Sequence, residues 1–177
     1  MSLDSIANLT WGRKVRKIKE KIDISDIDTL GCNNLDDYLN KSNQYASSFI
    51  EERGGNILKN LYHFKDINPC CRHYSLYTYA VFTSLVEREN LSFDKDVIVM
   101  AGAVVYKKDD KIKAGLHMWL GIDDEESWDL YEPIVKNRDY IFHYKPWFCF
   151  DVNGNKTEAV SCVKGGSALL IHSGLML

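Results

Sequence analysis

Segments with helical patterning fill the first half of the chain and segments with strand patterning the second, an order that predicts an α+β domain with an antiparallel sheet. Three observations carry this expectation. Before Asn90 the apolar residues recur at three- and four-residue intervals. After it, short runs rich in β-branched and aromatic residues are separated by polar turns. The strand runs also follow one another without helical segments between them, which argues against an alternating α/β arrangement. With 177 residues, 45% hydrophobic and 27% charged, the chain is expected to form one domain that buries its own core. That domain, 1–177, divides into a helical part over 1–63 and a cysteine-bearing helix plus sheet over 64–177.

The elements follow in order. Trp11, Val15, Ile18 and Ile22 fall at helical spacing with six basic residues among them. That basic run reads as a solvated helix face rather than an anion-binding patch, because Asp23, Asp26 and Asp28 follow directly. A second helix is expected from Leu35 to Glu52, with Asn34 as N-cap and Gly54-Gly55 as its stop. A short amphipathic piece around Ile57, Leu58, Leu61 and Tyr62 comes next. Pro69 stands where a helix can begin. From Cys70 to Arg88 the chain has no glycine or proline, and Leu76, Ala80, Val81 and Leu85 form a stripe to be buried. Strands are expected over Val97–Tyr106, Ile112–Ile122, Trp128–Val135, Tyr140–Phe150, Glu158–Val163 and Ser167–His172, with turns at Lys107–Asp110 and Val152–Asn155.

Composition excludes several classes. A net charge of −3 argues against a general nucleic-acid binder. No apolar run approaches the roughly 20 residues of a membrane span, and Met1-Ser2-Leu3-Asp4-Ser5 lacks a signal-peptide pattern. Five cysteines, an odd and sparse set, point to reduced thiols in a cytoplasm rather than a disulfide scaffold. Walker A, dinucleotide-binding and G-x-S-x-G patterns are absent from the sequence. A zinc site from Cys70, Cys71, His73 and His117 would lack the spaced C-x-x-C pairs that structural zinc prefers.

Cys71-Arg72-His73-Tyr74 carries the first chemical signal. In a first helical turn, free backbone amides and the helix dipole favour the thiolate of Cys71. The alternative is a small buried cysteine that fills core space. Cys70 shares the neighbourhood but is expected to point about 100° away around the helix, so that both cannot face one cleft. The second signal is a hairpin of Ile112–Ile122 and Trp128–Val135 closed by Asp123–Glu126. Its simplest register sets Trp119 opposite Leu130 and His117 opposite Glu132, so imidazole and carboxylate would meet on one face. Asp129 has the opposite parity. A structural His–Glu pair on a solvated face is the competing explanation.

These residues resemble the transglutaminase-like superfamily, the papain-related group with a Cys-His-Asp triad. Cys71-Arg72-His73-Tyr74 is similar to its cysteine motif, His117-Met118-Trp119 to its His-x-Trp, and Trp128-Asp129-Leu130-Tyr131-Glu132-Pro133 to its Trp-x-x-x-Asp-Pro with Glu for Asp. The similarity spans about Pro69 to Pro133. It implies a bacterial single-domain member with catalytic Cys71, His117 and Glu132, acting on the amide bonds of a protein or peptide without metal or cofactor. The reaction would be hydrolysis first, glutamine transamidation or deamidation second, with an inactive binding or scaffold protein of the same fold as the competing class. The oxyanion would be held by the Cys71 amide and an upstream donor, for which Gln44, Asn43 and Tyr62 are candidates. Trp119 and Trp128 share the His117 face by alternation, and at least one is expected beside the site.

Overall fold

The computed structural model describes residues 12–62, 70–108, 110–123, 128–133, 141–153 and 156–160. Trp11 and the expected strand at Ser167–His172 lie outside these residues, as does the far end of the expected strand Trp128–Val135. Among the described residues, three helices precede the strands: α1 over 12–19, α2 over Leu35–Tyr62 and α3 over Cys71–Glu89. Five described strands then form one antiparallel sheet: β1 Val97–Lys108, β2 Lys111–Asp123, β3 Trp128–Tyr131, β4 Ile141–Asn153 and β5 Lys156–Val160, in the spatial order β3-β2-β1-β4-β5. The α+β expectation is met. Among the described residues, no helix is long and apolar enough to cross a membrane.

The N-terminal part of α2 starts where the sequence places it, with the Asn34 side chain accepting the Asp37 N–H at 2.9 Å. Its end differs. Gly54 and Gly55 do not stop it, and the helix runs through to Tyr62, absorbing the separate piece expected there. A glycine inside a helix costs only about 1 kcal/mol against alanine. Stopping requires a residue in the left-handed region, as at Asn90, which closes α3 at φ 53.

Helix α3 is the central element, packed between α2 and the sheet. The expected stripe Leu76, Ala80, Val81 and Leu85 is buried, together with Tyr77, Tyr79 and Phe82. Phe49 of α2 meets Tyr77 at 5.6 Å between ring centroids. On the sheet side α3 covers Val97, Val99 and Ala101 of β1 and Met118, Leu120 and Ile122 of β2. Each Val, Leu, Ile or Met side chain among them contributes about 1.5–3 kcal/mol on leaving water.

Strand alternation sends the intervening residues to the other face, where Ile98, Met100, Val104 and Trp119 form a second buried cluster with Tyr106 and Tyr144 against it. Gly121 leaves room on that face for Met100, whose Cε would stand 2.5 Å from a Cβ there and would have to shift to admit one. Far from the strands' catalytic candidates, Glu89 ties α3 to the segment before α2. It accepts hydrogen bonds from Thr29 at 2.5 Å, from Tyr38 and from Arg88 at 2.6 Å. Those bonds, Thr29 and Tyr38 foremost, hold its carboxyl down at about 2.

Candidate active site

The start of α3 is built locally. Cys70 is the N-cap, in extended conformation at φ −132 and ψ 176, and Cys71 is the first helical residue. His73, three residues on, turns back so that its Nδ1 accepts the Cys70 backbone N–H at 3.0 Å and lies 3.3 Å from Cys70 Sγ. This is the reciprocal arrangement of a capping box, formed here with a thiol and an imidazole. His73 is buried.

The surroundings favour the thiolate of Cys70 over that of Cys71, where the sequence placed it. The Cys70 thiol is held down at about 3, first by a hydrogen bond from the Cys71 thiol, then by His73 and the Arg72 backbone amide, against the opposing effect of burial. Cys71 moves up, because it bonds the Cys70 sulfur, is desolvated and faces the negative charge of its neighbour. The expectation of divergent thiols assumed that both cysteines were helical. An extended Cys70 escapes that rotation, which lets the Cys71 thiol donate to the Cys70 sulfur.

This helix start is fastened to one residue of β2. Ser75 Oγ donates to the Met118 carbonyl at 2.8 Å, and the Met118 backbone amide lowers the Cys71 thiol against the larger upward effects. Two bonds from neighbouring turns therefore bring Cys71 beside Met118, the residue next to His117.

His117 lies on the opposite face of β2 from the α3 core. Its Nε2 is 2.5 Å from Glu132 Oε2, with the His117 and Glu132 side chains 11% and 2% exposed. The contact forms by a different register from the expected one. Tyr131 pairs with Leu120 and Trp128 with Asp123, so Glu132, one step past β3, stands level with Trp119. The offset is two residues, and an even offset preserves the face. Glu132 then reaches His117 diagonally, a span a long side chain covers. Asp129, paired with Ile122, has the other parity, as expected.

Two aromatic residues frame the pair. Trp119 lies nearly parallel to the His117 ring, centroids 6.0 Å apart, and is 2% exposed. Tyr144 of β4 donates its hydroxyl to the same Glu132 oxygen at 3.1 Å, and its ring meets Trp119 edge-on at 5.1 Å. With Nε2 turned to Glu132, Nδ1 is the nitrogen left for a thiol. Among the described residues no hydrogen bond joins His117 to Cys71.

The other candidates are placed as follows. Asn43 accepts a hydrogen bond from Thr78 at 3.1 Å, two turns along α3 from Cys71, or about 10 Å. Gln44 is next to it and exposed. Tyr62 ends α2 and Trp128 begins β3, and the side chains of both lie outside the described residues. Sequence reasoning missed Tyr144, for which no local signal exists, and the Cys70–His73 contact, for which the three-residue spacing of a capping box was a usable one. Among the described residues no group of three or more His, Cys, Asp or Glu side chains is arranged to hold a metal ion. No protein family's sequence model matches the chain, and no curated protein or solved structure matches it either.

Proposed function

We propose that this protein is a cysteine-dependent acyl-transfer enzyme of transglutaminase-like type, acting on amide or peptide bonds, with Cys71 as nucleophile, His117 as base and Glu132 as the group that orients the base. The observation that carries the reading is the buried Nε2–Oε2 bond of His117 and Glu132 at 2.5 Å, on the strand residue adjacent to the one that receives the start of the Cys71 helix. A carboxylate on one imidazole nitrogen fixes the tautomer, leaves the other nitrogen as proton acceptor and stabilises the imidazolium that forms.

The steps follow from those positions. The step requires Nδ1 of His117, on the other face of β2, to come within reach of the Cys71 thiol past Met118, a contact to be formed in the reacting complex. Nδ1 takes the proton as sulfur attacks the carbonyl carbon, and the oxyanion is met by the Cys71 backbone amide at the free start of α3. Collapse expels ammonia or an amine, which carries away the proton held by His117. Water then releases the thioester as an acid; a primary amine would release it as a new amide. Hydrolysis is the first reading, amine transfer the second. This chemistry draws on no metal or organic cofactor.

Cys70 supplies a second reading of the nucleophile, favoured by its 3.3 Å contact with His73. A library of glutamine-containing peptides, incubated with a primary amine and analysed by mass spectrometry, tests both. Cleavage or loss of ammonia that vanishes in Cys71→Ala and persists in Cys70→Ala supports the proposal, and a mass gain equal to the amine less ammonia identifies the transferase. Turnover that vanishes only in Cys70→Ala moves the nucleophile by one residue. The absence of any cysteine-dependent change in mass sinks the enzyme and leaves the binding protein.

A further inference from the structure

We propose that the edge of β2 between Lys111 and Leu116, unpaired among the described residues, is a docking site for an extended peptide, which adds to the sheet as an antiparallel strand in line with β3 and delivers its amide bond to Cys71. This rests on the functional reading above and names its substrate-binding surface.

The edge is defined by the ladder. In an antiparallel pair the N–H and C=O groups of successive residues point alternately to the two neighbouring strands. The Met118 carbonyl is taken by Ser75 and its N–H by Cys71, which marks Met118 as a residue whose main-chain groups point outward from β2. By the same alternation those of Ile112, Ala114 and Leu116 point outward too. Among the described residues, β3 reaches no further along β2 than Leu120, and only β1, on the other side, pairs with β2 below it. Unpaired edges with apolar side chains are hazards that folds ordinarily cover or charge. Here Ile112 is 74% and Leu116 38% exposed.

Position and charge select the occupant. A strand laid along Ile112, Ala114 and Leu116 meets Met118 next, where the outward groups already belong to α3. The peptide must leave the ladder at that residue, and Cys71 is the side chain beside it. Lys111 is exposed at the far end and Lys113 points to the face opposite Ile112 and Leu116. An added strand therefore has apolar neighbours on one face and basic ones on the other, and the matching peptide alternates apolar with acidic residues. Main-chain bonds give such docking its affinity and the alternate side chains its selectivity.

The test uses a capped peptide of alternating leucine and glutamate with one central glutamine. Bound to full-length Cys71→Ala, it is expected to slow hydrogen exchange at the Ile112, Ala114 and Leu116 amides at least ~10-fold, and N-methylating alternate amides of the peptide abolishes that protection. Ala114→Pro, which removes one outward N–H where an edge strand tolerates proline, lowers kcat/KM for the peptide at least ~10-fold while iodoacetamide labelling of the cysteines is unchanged. No protection at these three amides at any peptide concentration overturns the proposal, whether or not the wild-type protein turns the peptide over. Protection that appears with protein concentration and without peptide also overturns it, since the edge then pairs with a second copy. Protection without turnover upholds the docking site and counts against the functional reading instead.

Discussion

The thiols at the start of α3 and the His117–Glu132 pair on the sheet are assembled by opposite means. Cys70, Cys71 and His73 lie within four consecutive residues, and their contacts follow from one N-cap and one helical turn. His117 and Glu132 meet because two strands pair in a given register and a third strand contributes Tyr144 to the same carboxylate oxygen. Local assembly favours a thiolate in the first cluster, since the Cys71 thiol can donate to the Cys70 sulfur. Long-range assembly gives the second its burial, with both side chains at or below 11% exposure. The proposed reaction needs both, and among the described residues Met118 links them.

Removing the base separates them most sharply. His117→Ala is expected to lower Cys71-dependent turnover by about 10²–10⁴-fold, the range for a positioned acid–base group, and to leave the Cys70–His73 contact intact. Steady-state rates with purified protein check the first part, and an unchanged pH profile of Cys70 alkylation checks the second. Equal turnover in the variant would reduce His117–Glu132 to a structural pair.

The thiol cluster has its own pH signature. With Cys70 held below the usual thiol range by the Cys71 thiol and His73, its alkylation by iodoacetamide should persist at neutral pH, where an ordinary thiol slows about tenfold per unit below its pKa near 8.5. Cys71→Ala takes away the foremost cause of the depression, so Cys70 should become pH-dependent across the neutral range. Site-resolved mass spectrometry reads this directly, and an unaltered profile in Cys71→Ala would show that the Cys71 thiol does not donate to the Cys70 sulfur.

Tyr144→Phe probes the sheet pair more gently. Losing one donor to a buried carboxylate costs about 1.5–3 kcal/mol. The expected result is a fall in kcat with little change in KM, because Tyr144 is a positioning residue acting through Glu132. A change in KM alone would place Tyr144 in substrate binding.

The smallest effect belongs to a site remote from both. Glu89 has its carboxyl held at about 2, below its value in an unfolded chain, so the stability it adds is full above about pH 4.3. That stability is lost as pH falls from there toward 2. Glu89→Gln should lower Tm at pH 7 and flatten the acid side of the Tm profile without changing cysteine labelling. An unchanged acid limb would mean that Thr29 and Tyr38 do not stabilise the charged form.

What could be read from the sequence follows the same division. The helical stripe of α3 and the succession of strands were legible because each repeats its period over many residues. The shared face of His117 and Glu132 was legible although the pairing was not. Loop length left the hairpin register open by two residues, and an even slip changes partners without changing faces. The glycine pair at 54–55 misled because composition shows that a left-handed stop is permitted, not that it is used. Cys70 misled because a cap residue shares the helix's sequence neighbourhood but not its backbone. Tyr144 left no trace, since it comes to Glu132 across β1 and the pairing of separate strands has no local signature.

The account's central claim is that Cys71, driven by His117, becomes acylated. An activated acyl ester of a short peptide, mixed rapidly with the protein, quenched in acid and followed by peptide mapping, tests it most directly. The predicted result is an acyl group on Cys71 whose rate of formation falls at least ~10²-fold in His117→Ala. An acyl group on Cys70, formed at a rate indifferent to His117→Ala, would contradict the claim.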